Sequence, residues 1–223
     1  MNENPQVISR PAASSLATNR VIRNTYILLS LTLLFSAFTA GVAMVSHAPM
    51  LNVWLVLGGY FGLLFVTQAL RNSAWGLVAV FALTGFMGYT LGPLLNAYIA
   101  HYANGVQLVA YALGGTGVIF LGLSTYALTT RKDFSFMGGF LLAGILIAFI
   151  AGIANIFLGM PGLALAVSTM FMLLMSGFIL YQTSSLVHGG ETNYITATVS
   201  LYISIYNLFT SLLQILGVMS SRD

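Results

Sequence analysis

Seven apolar runs, each long enough to cross a bilayer, leave this chain few ways to fold. They cover residues 24–45, 51–70, 75–100, 106–129, 136–158, 163–187 and 194–218. A helix needs about 20 apolar residues to span a hydrocarbon core of roughly 30 Å. The runs are continuous rather than alternating, which excludes a β-barrel. The chain has four acidic and seven basic residues, and only 5% of it is charged. Soluble domains carry about 25%, so a water-facing surface cannot be built from these residues. The spacing predicts an all-α integral membrane protein of seven transmembrane helices.

The joints are short, so consecutive helices are expected to be antiparallel neighbours. Arg10, Arg20, Arg23, Arg71, Arg131 and Lys132 then fall on one side, and Arg222 on the other. The positive-inside rule places the N-terminus in the cytosol and the C-terminus in the periplasm. Residues 1–23 are polar and contain Pro5 and Pro11. They read as a flexible cytosolic tail, with residues from about Ser15 extending the first helix, and not as a cleaved signal peptide. Residues 24–218 form one membrane domain, and 219–223 a short outside tail. Small residues recur at four-residue steps, at Gly58 and Gly62, Gly88 and Gly92, and Gly144, Ala148 and Gly152. Such steps let helix backbones approach closely.

The last run carries a second pattern. Asn193, Thr196, Ser200, Ser204, Asn207, Ser211 and Gln214 are spaced 3, 4, 4, 3, 4 and 3 residues apart. At roughly 100° per residue they form one narrow stripe. A helix with a polar seam, in a chain this apolar, turns the seam away from lipid and belongs inside a bundle. The seam serves either interhelical hydrogen bonds or a cavity, with Asn207 its most demanding member. Further intramembrane polar groups are Asn96, Asn155 and Gln182. Asn96 follows Pro93 and is placed to bond a carbonyl freed by that proline, or to line a cavity.

Little points to catalysis. No charged side chain lies within a span. Asp133 sits beside Arg131 and Lys132, as a solvated partner. Glu191 precedes the last helix, where its charge suits the helix dipole. Cysteine is absent, which removes disulfides and thiolate metal sites. His47 and His101 are expected outside and His188 inside, too few together for a metal. HExxH, GxGD and GxSG motifs are absent, so no enzyme, cofactor or metal is expected. The basic residues stand singly or in pairs, which makes no nucleic-acid surface.

Three stretches carry a family resemblance: TGFMGYTLGPLLNAY (84–98), ANIFL (154–158), and LYQTSSLVHGGETNYI running on into ATVSLYISIYNLFTSLLQILG (180–217). They resemble the Bax inhibitor-1 family of seven-helix membrane proteins, over nearly all of residues 20–223. RNTYILLSLTL, LTTRKDFSF, HGGETNYI and the terminal SRD are similar to its bacterial inner-membrane branch, which modulates the FtsH protease. The resemblance implies a bundle with the last helix in the middle, wrapped by the other six. It implies as partners the protease, its membrane regulatory subunits and the bilayer, and it leaves self-association open. It also implies a mechanism, a slow competing substrate gripped by its N-terminal tail. The alternative is a calcium leak or ion-homeostasis role. Calcium-leak members carry a pair of carboxylates as a pH sensor, at positions that match Gln182 and Ser204. Neither side chain can ionise in the way a carboxylate pair does.

Overall fold

The computed structural model describes residues 10–220, with side chains from Leu16 onward. Among these residues all regular structure is helical: α1 (Arg10–Val45), α2 (Val53–Leu70), α3 (Trp75–His101), α4 (Gly105–Thr130), α5 (Gly138–Leu158), α6 (Pro161–Val187) and α7 (Tyr194–Ser220). A single 3-10 turn, Ser135–Met137, leads into α5. All seven helices are long and apolar enough to cross a membrane. Local chemistry sets the ends. The Asn52 side chain accepts the Trp54 N–H at 2.9 Å and starts α2. Gly159, at φ +60°, closes α5 in the left-handed region that favours glycine, and Pro161 opens α6, where a missing N–H costs nothing.

One boundary differs from the sequence expectation. α1 begins at Arg10, so the helix starts about five residues before the extension expected from Ser15, and the stretch from Arg10 to Ser14 is helix rather than flexible tail. Leu16 and Ala17 are strong helix formers, and continuing a stable transmembrane helix needs no new nucleus. Residues 1–9 of the expected tail, and residues 221–223 with Arg222, lie outside the described residues.

α7 is the centre. Ala197, Thr198 and Val199 are buried in succession, as are the pairs Leu201–Tyr202, Ser204–Ile205 and Leu208–Phe209. Neighbouring residues are about 100° apart on a helix, so burial on this pattern covers about two thirds of the circumference, and the remaining face, with Thr196, Ser200, Asn207 and Gln214, is half-buried. The apolar faces flanking the seam are therefore covered by protein, not by lipid. α2 buries only Thr67, and α5 only Leu141 and Ala148. The close backbone packing around α7 comes from α1, α3, α4 and α6. α2 leans on α3 and α5 on α6, so four helices rather than six form the tight wrapping.

The small-residue steps divide the same way. A Cβ on Gly88 would meet the Ser36 carbonyl, and one on Gly92 would meet Ala43 and the Ala40 carbonyl, so α1 and α3 are in backbone contact there. Gly58 and Gly62 face open space and bring no backbones together. Gly92→Leu should therefore destabilise the bundle by about 1–3 kcal/mol through overpacking. Gly58→Leu should leave it unchanged. Thermal unfolding of the two variants in one detergent checks the contrast.

Candidate functional site

Hydrocarbon offers no hydrogen-bond partners, so a hydroxyl deep in a span must find one inside the protein. Tyr202, in the middle of α7 and 1% exposed, does this for three helices at once. Its hydroxyl donates to the Thr84 carbonyl of α3 at 3.2 Å. It lies 2.6 Å from Ser36 Oγ of α1. A phenol has a single proton, so with that proton on Thr84, Ser36 donates to Tyr202. Nearby, Thr198 Oγ1 donates to the Thr25 carbonyl of α1 at 3.2 Å, and Tyr206 and Thr90 hydroxyls stand 3.4 Å apart. These ties were not foreseen, because tyrosine counts as apolar in a hydropathy reading. The available signal was position. Tyrosines favour membrane interfaces, and two of them one turn apart at mid-span require partners.

The seam itself does less between helices than expected. Asn193 is not in the span but caps α7: its Oδ1 accepts Ile195 N at 2.9 Å and Thr196 N at 3.2 Å. Thr196 Oγ1 is buried without a hydrogen-bond partner among the described residues. Ser204 Oγ donates back to the Ser200 carbonyl at 2.8 Å, and Asn207 Nδ2 to the Ile203 carbonyl at 2.9 Å. Asn207 is thus satisfied within its own helix, where a carbonyl four residues back is always within reach. Ser211 is buried. Gln214 makes the seam's one interhelical bond among the described residues, its Oε1 accepting from Ser168 Oγ of α6 at 2.6 Å. Gln182 is half-buried, and no hydrogen bond joins it to Ser204.

Asn96 and Asn155 serve helix ends. Asn96 Nδ2 donates to the Met44 carbonyl at 3.0 Å. Met44 lies in the last turn of α1 and its carbonyl also accepts His47 N at 3.2 Å, so the acceptor comes from the end of α1 and not from the proline-broken turn of α3. Asn155 Oδ1 accepts Met160 N at 3.1 Å, across the α5–α6 joint.

The joints that carry Arg71, Arg131 and Lys132 meet at one end of the bundle. Asn193 Nδ2 donates to the Arg71 carbonyl at 3.1 Å and to Asn72 Oδ1 at 2.8 Å. Ser184 Oγ donates to the Lys132 carbonyl at 3.0 Å and accepts Phe134 N at 3.0 Å. His188 sets Nδ1 2.8 Å from the Ser184 carbonyl and Nε2 3.0 Å from the Arg131 carbonyl. A neutral ring donates to one of these, and an imidazolium to both. Asp133 does not pair with its basic neighbours among the described residues. Its Oδ1 accepts Ser135 N at 2.8 Å, and that bond holds the carboxyl below the usual carboxylate range. Glu191 accepts Asn193 N at 2.7 Å, one step before the α7 cap. Between these joints and the α1 residues Thr18 and Asn19 lies a polar cleft of about 970 Å3, which Arg131, His188 and Glu191 also line.

The fold and its central helix define a class, and the sequence comparison agrees with it. The profile of the family described as inhibitor of apoptosis-promoting Bax1 matches residues 18–222, and the chain belongs to this family, the Bax inhibitor-1 membrane proteins. It is 53% identical over 215 residues to the modulator of FtsH protease YccA of Escherichia coli, covering 96% of this chain and 97% of that one. An uncharacterized protein of Pseudomonas aeruginosa is 51% identical over the full length of both chains. A membrane protein of Vibrio cholerae is 50% identical over 94% of each. The protein resides in the bacterial inner membrane.

Removing the Tyr202 hydroxyl should cost more than removing a seam hydroxyl. Interhelical hydrogen bonds in membranes average about 0.6 kcal/mol, so Tyr202→Phe should cost about 1 kcal/mol through its two ties. Ser204→Ala, which only returns a carbonyl to its own helix, should cost less than half of that. Unfolding titrations in mixed micelles measure both.

Proposed function

We propose that this protein binds an FtsH-type membrane protease and modulates it as a slow, competing substrate, taken by its N-terminal end from the cytosol. The similarity to the E. coli modulator, which runs through the joints as well as the spans, carries this reading. The proposal includes the orientation: the end bearing Arg20, Arg23, Arg71, Arg131 and Lys132 faces the cytosol, as the charge rule requires. No catalytic role is part of it. The polar cleft at that end is the surface a protease or its regulatory subunits would meet first.

The physical logic rests on α1. A processive protease pulling from the N-terminus draws α1 out before any other span. α1 is a core helix, in backbone contact with α3 at Gly88 and Gly92 and tied to α7 through Ser36 and Tyr202. Extraction therefore breaks the centre of the bundle at the first step, which makes the chain easy to hold and hard to pull. Deleting residues 2–9 should prevent degradation by the reconstituted protease while leaving the melting temperature unchanged. Degradation as fast as that of the full chain would overturn the grip. Tyr202→Phe should act in the opposite sense, with a shorter half-life and weaker competition against a second membrane substrate.

A proton-gated calcium leak finds less support. Its sensor positions are Gln182 and Ser204, and Ser204 is fully buried with its hydroxyl committed to Ser200. Liposomes carrying the protein and a calcium dye should show no leak that differs between pH 6 and pH 8. A leak that rises with pH and is abolished by Ser204→Leu would reverse this reading.

A further inference from the structure

We infer that a groove between α1 and α4 holds one hydrocarbon chain of a bilayer phospholipid. α1 and α4 both pack on α7, but no close packing of α1 on α4 joins them. The gap is a cavity of about 510 Å3. Its α1 wall runs from Leu33 to Met44 and its α4 wall from Val109 to Phe120, with Tyr202 and Tyr206 of α7 at the floor. Leu113, on the rim, is 57% exposed, so the groove opens sideways, toward lipid.

Its dimensions decide between occupants. Eleven steps of helix make it about 16 Å long, and the volume, with the roughly 1.4 Å radius of a water added at each wall, gives a mean width of about 9 Å, below the 10–12 Å of a helix. A single hydrocarbon chain, whose carbons contact their neighbours at about 4 Å, passes. The length equals about half of a 30 Å hydrocarbon core. Both walls belong to the half of the bundle away from the Arg-rich joints, because α1 ends and α4 begins there. The groove thus spans one leaflet, the one opposite those joints.

Its chemistry excludes a polar guest. Ser36 and Tyr202 are paired with each other, and Tyr202 also with Thr84. Thr116 Oγ1 donates to the Ala112 carbonyl at 2.7 Å. The hydroxyls along the groove are turned into protein, and what remains for the guest is apolar.

Two glycines make the groove. Gly41 of α1 and Gly117 of α4 both line it, and a Cβ on either would meet nothing within 4 Å. This is the reverse of Gly88 and Gly92, where the space is already taken by another backbone. At Gly41 and Gly117 the absent side chain leaves room that packing within the chain does not use.

Native mass spectrometry of the full-length protein, released from mild detergent after a delipidating wash, tests the inference. The expected result is one phospholipid retained per chain. Gly41→Leu/Gly117→Leu should retain at least tenfold less, with unchanged thermal melting. Gly122→Leu, on α4 with open space but outside the groove, should retain it as the wild type does. Each single variant is read in the same way, so a double variant that fails to fold leaves the comparison intact. No retained lipid in the wild type, or full retention in both single variants, overturns the inference. A wild-type dimer that either substitution abolishes would assign the groove to a second copy of the chain and overturn it equally.

Discussion

The bundle depends on one constraint: inside a bilayer a polar atom has only the protein to bond with. Lipid tails are as apolar as leucine, so apolar contact gives helices little reason to prefer each other over lipid. What holds them is close packing and hydrogen bonds. Close packing is most extensive between α1 and α3 and between α6 and α7, and the buried hydrogen bonds of Tyr202 join α1, α3 and α7. Gly88 and Gly92 bring α3 onto α1, and Tyr202 fastens α7 to both. α2 and α5 lie outside this group and bury almost nothing.

That arrangement gives α1 an unusual combination of roles. It is the first span behind the N-terminus, and its extension past Arg23 reaches the Arg-rich end, where it lines the polar cleft. It is also a core helix, fully burying Leu29, Thr32 and Ala43. A force applied at the N-terminus therefore loads the centre of the fold directly. The same helix has a third face, the one bordering the α1–α4 groove, which the chain itself leaves uncovered. Core, cleft and groove are three faces of one helix.

Membership of a family shows a fold, while function follows the residues that stand at its sites. The positions that the resemblance matches to the family's acid pair, Gln182 and Ser204, carry an amide and a hydroxyl. Ser204 is bonded within α7, and Gln182 stands apart from it. The central helix keeps its place in the bundle without that chemistry, because the face it buries is built mainly of apolar and aromatic residues, while much of the seam is only half-buried.

Six of the seven helices could be placed from sequence to within two residues at each end, because about 20 apolar residues between polar joints suffice to define a span. The central position of α7 was legible for a related reason, since a polar stripe cannot face lipid. The start of α1 was placed about five residues late, at Ser15 rather than Arg10, because helix continuing into water leaves no hydropathy mark. The bonds themselves were not legible. The stripe on α7 read as interhelical glue, yet Ser204 and Asn207 turn back on their own helix, and the ties run instead through Tyr202, Thr198 and Gln214. A hydroxyl on a helix always has a carbonyl four residues behind it, and it bonds elsewhere only if a neighbouring helix brings a partner to the same depth. Sequence alone determined how many helices cross the membrane and which one lies inside. The depth and rotation at which they meet, and so which polar residue bonds to which, were decided only in the tertiary structure, because they depend on register between helices far apart in the chain.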